Sequence, residues 1–107
     1  MGTDQQKPMH AASVILPFLQ YMGGNVYTPN GVSTNVPVPS RATAFTIAAN
    51  GGDVYYAINQ GFAGLTSPGF VPQSWHWVEG PLSNMTTLHV YSAAGATKVH
   101  VSFYCEV

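Results

Sequence analysis

An alternation of apolar and polar residues with a period of two, in residues 82–107, constrains the fold of this chain more than any other feature. Side chains two positions apart lie on the same face of a strand, so this period predicts strands with one buried side. Four small residues, 93–96, separate two such runs and predict a β-hairpin. The apolar sides of the two runs consist of Leu88 and Val90 in the first and of Val99, Val101, Phe103 and Cys105 in the second.

The register of this hairpin follows from its loop. With residues 93–96 as the loop, Val90 lies opposite Val99, so the two apolar faces coincide. The same register places His89 opposite His100 on the other face. If His76, on another strand, shares that face, the three imidazoles offer metal-ligand chemistry. A solvated face or a subunit contact is the favoured interpretation, and we predict no metal or other cofactor.

Further strands and turns precede this segment. Residues 43–49 and 54–58 also alternate, and the turn residues 50–53 between them predict a second hairpin. Residues 74–79 predict another strand. Residues 60–73, rich in glycine and proline, predict a long surface loop whose apolar side chains either fold back onto the domain or meet a partner.

Short strands separated by turns, without a helical pattern, predict an all-β fold. The expected architecture is a small antiparallel β-sandwich or jelly-roll-like barrel with an extended N-terminal arm. We expect residues 36–107 to form the β-sandwich domain. Residues 1–35 are expected to form a tail, the arm and a loop.

The apolar residues 11–22 suggest the arm. Pro17 would cost a helix here about 3 kcal/mol, so an extended segment is expected, ended by the turn residues 23–25. Proline within sheets is largely confined to edges and bulges. The segment is therefore either an edge strand of the chain's own core or an arm that lies on a neighbouring subunit.

The composition restricts the possible partners. Charged residues form 7% of the 107 residues, against about 25% in typical soluble domains. A formal net charge of −1 gives a monomer little protection against association, so we expect a homo-oligomer. Three fixed positive charges are too few for a nucleic-acid footprint.

Residues 11–22 are too short for a membrane span, and no signal peptide is recognised, which predicts a soluble protein made in the cytoplasm.

Little in the sequence indicates a catalytic site. The carboxylates lie in a tail, a turn, a strand end and the C-terminus and form no acid–base pair. Cys105 is in phase with the core rather than exposed as a nucleophile. No phosphate-binding glycine motif occurs. We therefore do not expect an enzyme, and we expect no small-molecule substrate.

Aromatic residues on the predicted strands suggest a contact surface. Tyr and Trp are favoured where a partner buries a surface. Tryptophans in a small all-β domain also pack in or beside the core, and an exposed one can stack on a sugar ring. These interpretations remain open for Tyr55, Trp75, Trp77, Tyr91 and Tyr104.

Residues 36–106 resemble small virion proteins of tailed bacteriophages. The resemblance lies in P-V-P-S-R-A-T-A-F-T-I-A-A, in G-G-D-V-Y-Y-A-I-N, in the Gly/Pro-rich loop, and in L-H-V-Y-S-A-A-G-A-T-K-V-H-V-S-F-Y. It implies a β-sandwich that decorates or cements a capsid, or serves elsewhere in the particle, commonly as a symmetric oligomer. The N-terminal third departs from this pattern.

The resulting hypothesis is a structural virion protein made in the host bacterial cytoplasm. It binds the major capsid protein on the capsid surface as a homo-oligomer, with a trimer favoured. The alternative is a carbohydrate- or receptor-binding β-sandwich module, possibly of the tail, with Trp75 or Trp77 as a stacking platform. The predicted contact residues are Val14, Ile15, Leu16, Phe18, Leu19, Tyr21, Phe70, Trp75, Trp77, His89 and His100.

Overall fold

The computed structural model describes residues 19–106, which form eight strands. The all-β prediction is confirmed. Within this part of the chain, no helix is long and apolar enough to cross a membrane. The strands are β1 (Leu19–Tyr27), β2 (Thr34–Val36), β3 (Ala44–Asn50), β4 (Val54–Ile58), β5 (Gly69–Val71), β6 (His76–Glu79), β7 (Leu88–Tyr91) and β8 (Lys98–Glu106).

The strands form two four-stranded antiparallel sheets that pack as a β-sandwich. Sheet A has the order β1-β8-β3-β6, and sheet B has the order β2-β7-β4-β5. The first strand pairs with the last, the second with the seventh, the third with the sixth and the fourth with the fifth. This is the order obtained when one long hairpin is rolled into two sheets, which is the jelly roll. The sandwich and jelly-roll prediction is therefore confirmed.

Both predicted hairpins are wrong in their pairing. Strand β7 pairs with β2 and β4 in sheet B, whereas β8 pairs with β1 and β3 in sheet A. Strands β3 and β4 likewise belong to different sheets. The chain crosses the sandwich at each predicted loop, so the apolar sides face each other across the core rather than lying side by side. A period of two determines which side is buried, but it does not determine the neighbouring strand.

The connection between β7 and β8 keeps one feature of the predicted loop. Ser92 and Thr97 are both fully buried at its two ends, and the Ser92 hydroxyl donates to the Thr97 hydroxyl over 2.9 Å. Two buried hydroxyls satisfy each other in this way without water. The register expected for a loop of residues 93–96 also makes these two residues face each other, although they adjoin strands β7 and β8 of different sheets.

Strand β1 extends beyond residues 23–25, where the arm was expected to end. It continues through Gly23 to Tyr27, with a bulge between Tyr21 and Gly23, and pairs with β8 at the edge of sheet A. Gly23 adopts a φ of 106°, which glycine tolerates and which suits a bulge. For residues 19–22 the edge-strand interpretation is thus the correct one. Residues 11–18 of the predicted arm lie outside the described residues.

The core lies between the two sheets. Every residue predicted to be on the apolar sides of residues 82–107 is buried there. Sheet A contributes Phe45, Ile47, Val99, Val101 and Phe103, and sheet B contributes Val36, Val54, Tyr56, Leu88 and Val90. Since β1 and β2 pair with β8 and β7, the sandwich begins within residues 1–35 rather than at residue 36.

Candidate functional site

An uncharged aromatic row crosses the outer side of sheet B. Because Leu88 and Val90 point into the core, the intervening and flanking residues of the strands point outward. Tyr55 pairs with Phe70 on one side and with Tyr91 on the other. The ring centroids of Tyr55 and Phe70 are 5.0 Å apart, and those of Tyr55 and Tyr91 are 6.5 Å apart. Three adjacent strands therefore present three rings in contact.

The loop of residues 59–68 extends this surface. It follows β4, and its Ala63 N–H donates to Ser33 Oγ, next to the start of β2 at the far edge of sheet B. Ala57, which faces outward from β4, is only 1% exposed. Residues 60–68 of the predicted loop 60–73 therefore fold back over the sandwich, which is one of the two expected alternatives. Residues 69–71 instead form β5, so the rest of that loop prediction is wrong. Phe62 and Leu65 on this loop still expose 66% and 63% of their surface.

We call this surface the sheet B face. The strands of sheet B and the loop 59–68 contain no Asp, Glu, Lys or Arg. An exposed apolar surface without charge, rich in aromatic rings, is typical of a surface that a partner covers. The sheet B face comprises Val32, Tyr55, Phe62, Leu65, Phe70 and Tyr91.

A second feature is a cleft of about 520 Å³ at the edge of the sandwich. It lies where the edge strands β5 of sheet B and β6 of sheet A face each other. We call it the edge cleft. Its lining consists of Tyr56, Ile58, Gln60, Pro68, Gly69, Phe70, Trp77, Val78 and Glu79.

The edge cleft is built around one hydrogen bond between the sheets. The Tyr56 hydroxyl on β4 donates to Glu79 Oε2 on β6 over 2.5 Å. Glu79 pairs with the buried Phe45, so its side chain points toward the interior at the sandwich edge. Burial, followed by the hydrogen bond and charge of Glu79, raises the pKa of the Tyr56 phenol. The phenol therefore stays protonated and acts as a donor.

Gly69 allows Tyr56 to reach Glu79. It lies directly opposite Tyr56 in the β4–β5 pair. A Cβ atom at position 69 would lie 2.6 Å from three atoms of the Tyr56 ring, so the ring occupies the space of the missing side chain. On its other side the ring contacts Phe45 edge to face, with centroids 5.8 Å apart. The ring is thus held in a fixed position across β5.

Trp77 forms the opposite wall of the cleft, and Trp75 lies against Trp77 outside the lining. Trp77 pairs with the buried Ile47, packs against the core, and donates its indole N–H to the Phe70 carbonyl of the other sheet. Trp75 is 56% exposed and contacts Trp77, with centroids 5.5 Å apart and planes inclined by 54°. Strand β6 begins at His76, so the predicted strand 74–79 is shorter than expected and Trp75 precedes it, although the two indoles are in contact. The core interpretation applies partly to Trp77 and not to Trp75.

The condition for three converging imidazoles, His76 on the same face as His89 and His100, is not met. His89 points outward from sheet B, whereas His76 and His100 each pair with Ala48 on the outer side of sheet A. The predicted opposition of His89 and His100 is therefore wrong, because β7 and β8 are in different sheets. Residues 19–106 contain no group of three or more His, Cys, Asp or Glu side chains placed to hold a metal ion.

The other predicted contact residues are dispersed. Leu19 is half-buried on β1, and Tyr21 is exposed on the outer side of sheet A, where its ring contacts Tyr104. Phe70 links the sheet B face to the edge cleft. Val14, Ile15, Leu16 and Phe18 lie outside the part of the chain that the structure describes.

Sequence reasoning missed the central residues of the edge cleft. The sequence pattern predicts Tyr56 and Glu79 only as strand residues and Gly69 only as a loop residue. One signal was present, because Glu79 lies two positions after Trp77 and must share its side of β6. An inward-facing charge on an edge strand is also a known protection against edge-to-edge pairing.

Comparisons with family models, with curated proteins and with solved structures give no match for this chain.

Proposed function

We propose that this protein is a structural component of a bacteriophage particle that binds the capsid surface and cements or decorates the capsomers. The observation behind the proposal is the sheet B face, which has no charged residue, exposes Val32, Phe62, Leu65 and Phe70, and holds the half-buried rings of Tyr55 and Tyr91. A cement protein needs such a surface, because burial of apolar area against the shell raises the cost of separating capsomers. The partner is the major capsid protein.

The fold is compatible with this function but does not select it. Jelly rolls occur in viral capsid and in lectin domains, so the architecture is only an analogy. The stronger support is the low charge, since 7% charged residues suit a surface that is largely covered in an assembly. Contacts of modest affinity suffice when many copies or a symmetric oligomer bind together. A trimer is the proposed oligomer, and light scattering with size-exclusion chromatography measures it.

Co-sedimentation with particles tests the contact surface. Purified protein is mixed with capsids of the phage whose genome encodes it, and bound protein is measured against concentration. Leu65→Ala and Phe62→Ala truncate exposed side chains of the sheet B face, and each should weaken binding by about tenfold if it is a central contact. Val26→Ala, an exposed apolar residue of sheet A, is the control. Binding lost in the control but retained in both loop variants would contradict the proposal.

A carbohydrate-binding function is the second candidate, and the exposed Trp75 ring favours it. The two indoles are inclined by 54°, so they do not form one flat platform, but Trp75 alone can stack on a sugar ring. Glycan-array binding by a monomer without capsid affinity, lost in Trp75→Ala, would establish this alternative in place of the cement function.

A further inference from the structure

We infer that the edge cleft binds an arginine side chain of a partner protein. The inference does not depend on the proposed function, because Glu79 and Trp77 lie at the β5–β6 edge outside the sheet B face, which shares only Phe70 with the cleft. It rests on the acceptor groups, the aromatic walls and the dimensions of the cleft.

The charge of the cleft selects a cation. Among the described residues that line it, Glu79 is the only charged side chain. A carboxylate has about four acceptor positions, and the hydrogen bond found for Glu79 among these residues is the one from Tyr56. The remaining acceptor positions of this carboxylate can take further donors, and a cation in the cleft supplies both the opposite charge and those donors.

The aromatic walls select the same ligand. Trp77 and Phe70 line the cleft, and the faces of such rings attract cations, with tryptophan the strongest. A planar guanidinium can stack on an indole while it donates two parallel hydrogen bonds to a carboxylate. An ammonium group lacks this planar geometry. The combination of one carboxylate with aromatic walls therefore favours arginine over lysine.

The apolar part of the cleft fits the stem of the side chain. Ile58, Pro68 and Val78 add aliphatic surface to the lining, against which the methylene groups of an arginine can pack. The volume of about 520 Å³ lies within the range of ordinary ligand sites. An arginine presented on a loop or strand edge of a partner enters from the open side.

A titration of the full chain followed by two-dimensional NMR tests the inference. The probe is N-acetyl-arginine amide, and N-acetyl-citrulline amide is its uncharged isostere. The arginine probe should shift the indole N–H signal of Trp77 and the amide signal of Gly69 saturably at millimolar concentrations. The citrulline probe should bind at least tenfold more weakly, because it lacks the charge.

Variants locate the site and decide between ligands. Glu79→Gln should weaken arginine binding at least tenfold, whereas Glu106→Gln on β8 should leave it unchanged. Gln60→Lys, at an exposed position of the lining, should also weaken binding and provides a test if Glu79→Gln does not fold. Absence of saturable arginine binding, equal binding of citrulline, or unchanged binding in a folded Glu79→Gln or Gln60→Lys variant would overturn the inference. Saturation by neutral saccharides in place of arginine would also overturn it.

Discussion

The Tyr56 hydroxyl donates a 2.5 Å hydrogen bond to Glu79 Oε2 and thereby joins sheet B to sheet A at the open edge of the sandwich. A hydrogen bond to a charged group contributes about 1.5–3 kcal/mol. Tyr56→Phe should lower the free energy of unfolding by about that amount, as measured by denaturant titration. Tyr21→Phe, at an exposed position, should change it by less than about 0.5 kcal/mol. Equal effects of the two changes would show that this bond does not stabilise the fold.

Tyr56 should also make stability depend on pH in alkali. Burial and Glu79 raise the pKa of its phenol in the folded state, while an unfolded tyrosine titrates at about 10. Below that pH both states hold the proton and the contribution is complete. Above it the unfolded state releases the proton first, so the free energy of unfolding falls as pH rises. Burial raises the pKa of Tyr27 in the same direction.

A comparison of the native protein with Tyr56→Phe isolates this effect. The difference in the free energy of unfolding between the two proteins should be largest near neutral pH and should shrink above pH about 10. The contribution of Tyr27 is common to both and cancels. A difference that stays constant into strong alkali would contradict the assignment of the raised pKa to Tyr56.

Gly69 should not tolerate a side chain. A Cβ atom there would meet the Tyr56 ring at 2.6 Å, and displacement of a packed side chain typically costs about 1–3 kcal/mol. Gly69→Ala should therefore destabilise the protein and weaken the Tyr56–Glu79 contact. Gly61→Ala is the matched control, because a Cβ atom at position 61 has no neighbour within 4 Å. Thermal unfolding that is equally affected in both variants would argue against a role of Gly69 in placing the ring.

Two N-terminal deletions should show which residues the sandwich needs in order to fold and which belong only to the predicted arm. Strand β1 begins at Leu19 and pairs with β8 along its length, so deletion of residues 1–18 should leave a folded domain. If the arm contributes to attachment, the same deletion should reduce capsid binding. Deletion of residues 1–27 removes β1, uncovers the long strand β8, and should prevent stable folding. Circular dichroism and cooperative unfolding measure the fold, and loss of folding in the shorter deletion would contradict this division.

The sequence was sufficient for the fold class and for the buried sides of the strands. Leu88, Val90, Val99 and Val101 were predicted to face the core, and all four are buried. Their pairing could not be predicted, because a hairpin and a crossing between two packed sheets bury the same alternate residues. The loop at residues 93–96 is short enough for either connection, so neither its length nor its small residues decides between them.

The candidate surfaces were only partly predictable for the same reason. The side-by-side rings of Tyr55, Phe70 and Tyr91 depend on strand order, which local alternation does not encode. The contact of Tyr56 with Glu79 joins two sheets, and it requires a residue without a side chain at position 69. Trp75 and Trp77 lie two positions apart on one segment, so their contact does not depend on strand order.

A cryo-electron microscopy reconstruction of phage capsids saturated with the protein tests the central proposal most directly. We predict density for the β-sandwich outside the shell at symmetry-related positions that bridge capsomers, with the sheet B face against the major capsid protein. Unoccupied capsids at saturating protein, density confined to the tail, or a sandwich bound to the shell through sheet A alone would contradict it.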